Sequence, residues 1–581
     1  MGADEIINRS NVSIMKNFRK SWAWVLALPI VCVSLMSFKG DNRNFLLSKY
    51  LDIFHSVFRE LDMMYVDTID VANAIETGIH AMLADLDPYT VYYPEEEDED
   101  LKMMLTGKYA GVGAVIRYHE KHDRVVIVEP YEGMPALEGG LLAGDILLSI
   151  DGEDLKGLPV DEVSTRLRGE PGTTLLVRAK REGVADSIVE VKLSRANIAL
   201  PSVPYYTLFA DSIGYVILNS FTENCAREVR VAMVELKNRG ARGFILDLRG
   251  NGGGSMAEAI DIAGLFIPKG TVVVSTKGKI PQASQTYTTR REPLDMEVPL
   301  VVLVDGQSAS SSEIVAGAIQ DLDRGVIMGS RTYGKGLVQT VRELPYNASL
   351  KITTSKYYTP SGRCVQKIDY SKKRSNTDKV EAGDTIAPTF YTLAGRPVHE
   401  KGGISPDVEI TAERLPNILF YLANSDILFD FVTDYTRSHP SIAPIEEFEV
   451  SDSLFAAFKA AVKASDFTYD RQSEKALAAL KEVAEFEGYT TDAAAEFAAL
   501  EKKLSHDIDR DFDLFKTDIC KLLADELVTR YYYQRGSIMQ AIKSDSTILR
   551  ARTLLADDEA YKQILAPKEV KGKKNKNSKK K

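Results

Sequence analysis

Buried strands that alternate with helices between residues 205 and 410 constrain the fold of this chain more than any other feature. Apolar runs predict strands at Ile213–Leu218, Gly243–Leu248, Pro299–Val304 and Val326–Gly329, with helices at Cys225–Arg239 and up to Ile319 between them. Such alternation builds a core sheet with helices on its faces, and ligands then bind at the carboxyl ends of the strands. We therefore predict an α/β core domain over residues 197–410.

A β-rich segment precedes this core. The predicted order is strand, strand, helix, strand, helix, strand, strand, over Gly113–Tyr118, Arg124–Val128, Met134–Glu138, Asp145–Ile150, Val160–Arg168, Thr174–Lys180 and Ile188–Leu193. A glycine-containing loop comes before the first strand and comprises Tyr109, Ala110, Gly111, Val112 and Gly113. Such a loop can present backbone N–H groups to an anion.

The loop, the order of elements and the run Gly140–Gly152, which reads GLLAGDILLSIDG, together resemble a PDZ domain. The resemblance implies that the loop binds the terminal carboxylate of a peptide and that the neighbouring strand edge pairs with the peptide chain. We predict a PDZ domain over residues 106–196, with Tyr109 to Gly113 as substrate-binding residues. The alternative is a glycine turn that serves folding only.

Helical patterns flank these two domains. Apolar residues recur at helical spacing from Leu47 to Leu61, and a second helical run ends at Asp87-Pro88, so residues 41–105 are predicted to be a helical segment. Residues 411–566 are predicted to be a helical C-terminal domain without a coiled-coil seam or a catalytic motif. The Lys-rich tail, residues 567–581, is expected to be a disordered solvated end, with contact to anionic lipid or a partner as the alternative.

The N-terminus predicts export. Lys16, Arg19 and Lys20 precede an apolar run over Trp22–Phe38, so residues 1–40 are expected to be a signal peptide or a membrane anchor. Basic residues before the run keep the N-terminal side cytoplasmic. The rest of the chain would then be exported across the inner membrane and be periplasmic, or anchored to the membrane and facing the periplasm. We also allow for membrane association and for a homo-oligomer.

Charge and metal-ligand patterns exclude several function classes. The net charge is −11 even though the last fourteen residues hold eight Lys and one Glu, which disfavours nucleic-acid binding. Four scattered cysteines and seven histidines form no metal motif, so neither a metal nor a cofactor is expected. His119 and His122 flank a predicted hairpin turn and are expected to be solvated.

Two turns that follow buried strands carry the candidate chemistry. Gly250–Gly254 lacks a phosphate-loop ending but can leave backbone N–H groups free for an oxyanion. The second turn places Ser310 at a strand-to-helix junction, with no GxSxG motif and no nearby histidine. Lys335 lies between two glycines, and burial would lower its pKa enough for the neutral amine to accept a proton from serine. Taken alone, Ser310 would more often be only a helix N-cap, and Lys335 would more often be a surface charge.

Residues 305–339 resemble the active-site region of the carboxyl-terminal processing peptidases, also called tail-specific proteases. The segments that carry the resemblance are Ser308-Ala-Ser-Ser-Ser-Glu-Ile314 and Gly329-Ser-Arg-Thr-Tyr-Gly-Lys-Gly-Leu-Val-Gln339, and it extends to Leu86-Asp-Pro-Tyr-Thr, Asp247–Gly254 and Gly402–Asp407 over residues 45–410. The family's nucleophile falls on Ser310, its base on Lys335 and its orienting amide on Gln339. Ser311 replaces the family's usual Ala, which leaves Ser310, Ser311 and Ser312 as competing nucleophiles.

The resemblance implies an α+β multidomain serine endopeptidase with an α/β protease core, an inserted PDZ-like domain and helical segments at both ends. Its expected substrates are proteins with exposed C-terminal tails, cleaved through an acyl-enzyme. The backbone N–H groups of Ser311 and Gly253 are expected to stabilise the oxyanion. Arg168, at the end of the second PDZ helix, either reports peptide occupancy to the core or is solvated. A non-catalytic tail-binding adaptor and a Ser/Lys amidase for small molecules are the alternative functions.

Overall fold

The structure is a computed structural model that describes residues 43–183, 187–370, 388–400, 402–411, 414–504 and 507–567. The predicted signal or anchor over Trp22–Phe38 and the Lys-rich tail from Lys568 lie outside the described residues. Within those ranges no helix combines the length and the apolar character needed to cross a bilayer. The chain forms two compact units that divide between Asp85 and Leu86.

The first unit holds helix α1, residues 43–64, and helix α2, Val71–Ala84. Asp70 begins α2 as its N-cap, because its Oδ1 accepts a hydrogen bond from the backbone N–H of Asn73 at 3.1 Å. The helical prediction for this part of the chain is confirmed. Its apolar side chains are largely exposed, as Leu47 and Leu51 are in α1 at 61% and 58%.

The second unit opens with a short strand and a helix and continues into the β-rich domain. The elements are β1 (Val91–Tyr93), α3 (Asp98–Thr106), β2 (Lys108–Gly111), β3 (Ala114–His119), β4 (Arg124–Pro130), α4 (Pro135–Glu138), β5 (Ile146–Ile150), β6 (Glu153–Asp154), α5 (Val160–Leu167), β7 (Thr174–Lys180), β8 (Ile188–Ser194) and β9 (Ala196–Ala199). The predicted order is confirmed, and β2 with β9 adds an antiparallel pair where the chain enters and leaves the domain. In the main sheet the order is β3-β4-β5-β7-β8, so β3 lies at its edge.

The α/β core domain follows. Its elements are β10 (Tyr205–Leu208), β11 (Ile213–Ile217), α6 (Cys225–Asn238), β12 (Gly243–Asp247), α7 (Met256–Ala263), β13 (Val272–Gly278), β14 (Thr286–Thr288), β15 (Leu300–Val304), α8 (Ser311–Asp321), β16 (Val326–Gly329), β17 (Leu337–Glu343), β18 (Ser349–Tyr358), β19 (Thr389–Tyr391), β20 (Pro397–His399) and β21 (Val408–Glu409). The core sheet runs β10-β11-β12-β15-β16-β21, and β11, β12, β15 and β16 are mutually parallel. Their carboxyl ends therefore meet at one edge of the sheet.

A second sheet lies beside the core sheet and joins β1, β18, β13 and β14, with β17 paired to β18. β1 pairs antiparallel with β18, with Val91 opposite Lys351. The prediction that residues 41–105 form a helical segment is therefore wrong for part of it. Three residues of the segment form β1, whose strand partner lies some 260 positions away in sequence. Long-range pairing of this kind leaves no local pattern in a three-residue run.

The C-terminal region is helical, as predicted. Its helices are α9 (Asn417–Ala423), α10 (Asp426–Ser438), α11 (Asp452–Lys463), α12 (Gln472–Glu487), α13 (Ala494–Leu504), α14 (Ile508–Leu514), α15 (Lys516–Lys543), α16 (Ser546–Ala556) and α17 (Asp558–Leu565). Residues of α9, α10, α11, α14 and α15 share one apolar core. The last two helices instead pack on the core sheet, so the region predicted as one domain over residues 411–566 contributes to two cores.

The core sheet is covered on both faces, which explains why its strands are continuous apolar runs. Alternate residues, such as Phe244 and Leu246 in β12, pack against α6, α7 and α8. Ile245, between them, packs on the opposite face with α16 and α17. Tyr561 of α17 fixes this contact through two hydrogen bonds of its hydroxyl group. The hydroxyl accepts from the backbone N–H of Leu300 and donates to the backbone carbonyl of Leu300, both at 3.0 Å.

The β3–β4 hairpin of the β-rich domain packs against α10. The ring of Phe429 lies between two guanidinium groups, those of Arg117 and Arg530, each 4.3 Å from the ring centroid. His119 is 1% exposed at this contact, so its predicted solvation is wrong. The turn that carries it is covered by α10, a contact that local sequence does not encode.

Candidate active site

Hydrogen bonds join the two turns that follow β12 and β15 at the carboxyl edge of the core sheet. They run from Ala309 N to Asn251 O (3.0 Å), from Ser308 Oγ to Leu248 O (2.8 Å), from Ser312 Oγ to Asn251 O (2.8 Å) and from Ser311 Oγ to Gly254 O (2.9 Å). The glycine turn is thus held directly against the serine turn. These contacts unite the two segments that the sequence marked separately.

Ser310 differs from the serines around it. Ser308, Ser311 and Ser312 are buried, and each hydroxyl donates to a backbone carbonyl. Ser310 is partly exposed, and its hydroxyl hydrogen has no acceptor among the described residues. It has φ 56° and ψ −110°, a conformation that a residue with a side chain adopts only under strain. Ser310 is also the N-cap of α8. A position at the helix N-terminus therefore does not decide between a capping residue and a nucleophile, because one serine can be both.

A buried carboxylate connects Ser310 to the segment that carries Lys335. Glu313 is 0% exposed. Its Oε2 accepts from the backbone N–H groups of Ser310 (3.0 Å) and Lys335 (2.8 Å). Its Oε1 accepts from the Thr332 hydroxyl (2.6 Å) and from the backbone N–H of Gly334 (2.8 Å). Burial raises the pKa of Glu313, and these four donors oppose that shift.

The glycines beside Lys335 are required by close backbone contacts. A Cβ on Gly334, where φ is +89°, would lie 3.1 Å from the backbone of Gly402. A Cβ on Gly336 would lie 2.7 Å from the backbone nitrogen of Gln366, whose side-chain oxygen accepts from the N–H of Gly336. The Gly-Lys-Gly pattern therefore lets this segment fit closely against the backbone at Gly402 and Gln366, and these contacts fix the backbone of Lys335.

Lys335 is half-buried, and its Nζ lies 4.5 Å from the centroid of the Tyr89 ring. Burial lowers the pKa of the Lys335 ammonium, and the positive charge of Lys351 lowers it further. The carboxylates of Glu313 and Asp87 act in the opposite direction. Among the described residues no hydrogen bond joins Lys335 Nζ to Ser310 Oγ. The pKa of Lys335 is therefore lowered overall, and its Nζ lies over an aromatic ring.

Gln339 belongs to a chain of hydrogen bonds that leads away from the serine. Its amide nitrogen donates to Thr353 Oγ1 at 3.2 Å, and this hydroxyl donates to Asp87 Oδ1 at 3.2 Å. Asp87 Oδ1 also accepts from the backbone N–H groups of Tyr89 and Thr90. The turn that presents Tyr89 to Lys335 is thus fixed by Asp87. From the sequence, Asp87-Pro88 was predicted only to end a helix and the Asp-Pro-Tyr-Thr segment to be part of the family resemblance, with no role in the site.

The two predicted oxyanion donors lie close together. The backbone N–H of Ser311, in the first turn of α8, has no acceptor within the described part of the chain. The N–H of Gly253 donates to Asn251 Oδ1 at 2.9 Å. Gly253 has φ +101°, and a Cβ there would lie 2.8 Å from Ser310 Cβ, so the glycine turn contacts the serine itself. Asn251, which no sequence argument singled out, orients both turns through its backbone and its side chain.

The predicted PDZ loop lies at the open edge of β3. Tyr109, Ala110 and Gly111 belong to β2, and Val112 and Gly113 lead from it into β3. α5 packs beside β3, so an extended peptide that pairs with the open edge of β3 would lie next to α5. Arg168 follows α5, and its guanidinium lies over the Tyr109 ring and donates to Asp100 of α3. It therefore contacts the loop and the helix before it, and it is not simply solvated.

Three family models match successive parts of the chain. Peptidase family S41 matches residues 212–371, a PDZ domain matches residues 126–181, and a model described as the C-terminal helical domain of probable PDZ-proteases matches residues 418–555. The α/β core, the PDZ domain and the helical C-terminal region thus each have a counterpart. Together the fold and these matches define a serine protease that carries a PDZ domain.

Curated relatives agree. The chain is 35% identical over 324 residues to a carboxy-terminal-processing protease of Bartonella bacilliformis, covering 55% of this chain and 73% of the relative. It is 37% identical over 296 residues to a carboxyl-terminal-processing protease of Synechocystis sp., covering 50% and 68%. A solved photosystem II D1 C-terminal processing protease has 30% identity and a TM-score of 0.33 and covers 62% of this chain and 87% of that chain. This chain belongs to the carboxyl-terminal processing proteases of peptidase family S41.

Proposed function

We propose that the protein is an endopeptidase that cleaves proteins recognised through their C-terminal tails, with Ser310 as nucleophile and Lys335 as general base. The observation that carries this proposal is the contrast within the serine run. Ser311 and Ser312 donate their hydroxyl hydrogens to backbone carbonyls, whereas the Ser310 hydroxyl is partly exposed and has no acceptor among the described residues. The strained backbone of Ser310 is of the kind found at functional sites.

The reaction would begin when the neutral Lys335 side chain turns from the Tyr89 ring toward Ser310. Lys335 Nζ removes the hydroxyl proton, and Oγ attacks the scissile carbonyl carbon. Collapse of the tetrahedral intermediate transfers the proton from Lys335 to the leaving amine and leaves an acyl group on Ser310. A water molecule, deprotonated in turn by Lys335, then hydrolyses this ester. In this scheme Gln339 would leave Thr353 and orient the lysine amine.

The tetrahedral oxyanion would bind between the N–H of Ser311 and the N–H of Gly253. The first is free for this role in the described part of the chain, and the second would exchange Asn251 Oδ1 for the substrate oxygen. Loss of one such donor typically costs about a hundredfold in rate or more. Asn251 thus holds the glycine turn until substrate arrives.

The PDZ domain would supply the substrate. A terminal carboxylate would bind at Tyr109–Gly113, and the upstream residues would pair with the open edge of β3. Arg168, which contacts both Tyr109 and Asp100, would link tail binding to α3 and the segment beyond it. The folded part of the chain would be exported, with the N-terminal apolar run as its signal peptide or membrane anchor. The exposed apolar side chains of α1 would support a homo-oligomer.

The proposal is tested with an unfolded protein that ends in an apolar tail and the same protein with an amidated C-terminus. We expect wild type to cleave the free-tailed substrate and to cleave the amidated one more slowly, and we expect Ser310→Ala and Lys335→Ala to cleave neither. Cleavage at the wild-type rate by both variants would refute the Ser/Lys assignment. Tight tail binding without cleavage by wild type would favour an adaptor.

A further inference from the structure

A cluster of metal-ligating side chains lies at the contact between the PDZ domain and α10, far in sequence from the protease residues. His119 and His122 come from the β3–β4 hairpin and Asp430 comes from α10. One ligand atom from each of the three side chains lies within 4.8 Å of the other two. His119 Nε2 is 2.9 Å from Asp430 Oδ1, and the two imidazole centroids are 4.4 Å apart. The three groups therefore converge on one point.

The other nitrogen of His119 faces a second carboxylate. His119 is 1% exposed, and its Nδ1 lies 3.2 Å from Asp426 Oδ2, although it has no aligned hydrogen-bond partner among the described residues. A carboxylate behind a histidine fixes the tautomer that directs the opposite nitrogen to a metal. Asp426 is itself held by Arg117 and by the backbone N–H of Glu120. A fixed carboxylate thus lies within 3.2 Å of the His119 nitrogen that faces away from the cluster.

The space beside the cluster suits an ion with a water ligand. A cavity of about 110 Å³ is bordered by the three side chains together with Glu182, Asp434, Lys121 and Arg437. A single water needs only roughly 10–15 Å³ measured in this way. Lys121 Nζ, 3.8 Å from Asp430 Oδ2, belongs to a side chain that is 69% exposed and free to turn toward solvent. Room and negative charge are therefore both present.

We propose that His119 Nε2, His122 and Asp430 bind a divalent transition-metal ion of the zinc type, with water as the fourth ligand. Two imidazoles and one carboxylate are ligands that zinc accepts in tetrahedral geometry. Because the ligands come from the PDZ hairpin and from α10, the bound ion would hold the PDZ domain against the C-terminal helices. The same contact includes Phe429, and a Cβ on Gly144 would lie 2.4 Å from Thr433.

The full chain, purified without a histidine tag and dialysed against a chelator, is titrated with Co²⁺ and then with Zn²⁺. We expect one equivalent of Co²⁺ to give the visible absorption of a tetrahedral site and Zn²⁺ to abolish it. His122→Ala and Asp430→Asn should lose this signal, whereas His399→Ala, an exposed histidine outside the cluster, should retain it. Asp426→Asn should weaken Co²⁺ binding about 10- to 100-fold, as loss of a carboxylate behind a ligand does.

Thermal melting gives a second, independent measurement. Zn²⁺ should raise the melting temperature of wild type and of His399→Ala but not of His122→Ala. A Co²⁺ signal that survives in His122→Ala would overturn the proposal. So would a wild-type melting temperature that neither metal changes, because the three side chains would then hold no ion.

Discussion

Replacement of Glu313 by Gln is the sharpest perturbation of the site that the structure offers. The carboxylate accepts from four buried donors, and two of them are the backbone N–H groups of Ser310 and Lys335. A carboxamide of the same shape has one acceptor oxygen and one NH₂ group, so about two of the four donors lose their acceptor. An unsatisfied buried donor costs roughly 1–3 kcal/mol, which gives about 2–6 kcal/mol for Glu313→Gln.

Hydrogen exchange followed by mass spectrometry measures this loss locally. At about 1.4 kcal/mol per factor of ten, the amides of residues 305–337 should exchange at least roughly thirtyfold faster in Glu313→Gln than in wild type. Cleavage should fall in parallel, because Ser310 and Lys335 lose their common support. Glu343→Gln, at an exposed position of β17, is the matched control and should change neither quantity. Unchanged exchange and unchanged cleavage in Glu313→Gln would show that the carboxylate does not organise the site.

Three further predictions follow from single contacts. Lys351→Met removes a positive charge that lowers the pKa of Lys335, so the pKa of Lys335 should rise. The acidic limb of the plot of kcat/KM against pH should then move to higher pH, and a shift to lower pH would contradict Lys335 as the general base. Gly253→Ala, with a Cβ 2.8 Å from that of Ser310, should lower kcat about a hundredfold or more while tail binding, measured by calorimetry, stays unchanged. Tyr561→Phe removes the hydroxyl that bonds both the N–H and the carbonyl of Leu300 and should destabilise the fold by about 1–3 kcal/mol, seen as a lower melting temperature; an unchanged value would mean that these two hydrogen bonds do not stabilise the fold.

The sequence predicted the elements whose burial pattern is local. β7 was predicted with the bounds that the structure has, and β16 likewise, because period-two alternation or a short apolar run identifies a strand without reference to its partners. The PDZ order and the strand-to-helix turn at Ser310 follow from the same kind of signal. Spacing and resemblance together selected Ser310 and Lys335, and their roles as nucleophile and base stay predictions.

Features that depend on distant contacts were beyond the sequence. In the sequence, Glu313 is an ordinary acidic residue in the first turn of a helix. Its role depends on the loop after β16, where the backbone N–H of Lys335 donates to it. Tyr89 is brought to Lys335 by a turn that β1 positions through pairing with β18. His119 is buried only because α10 covers the hairpin. In each case the decisive partner lies far along the chain, so no local spacing reports it.

The central claim is that Ser310, and neither Ser311 nor Ser312, forms the covalent intermediate. Rapid quenching of the enzyme with an activated ester of a short peptide, followed by digestion and fragmentation mass spectrometry, locates the acyl group directly. We expect one acyl group on Ser310, none in Ser310→Ala, and slower formation in Lys335→Ala. An acyl group on Ser311 or Ser312, or acylation of Ser310→Ala at the wild-type rate, would contradict it.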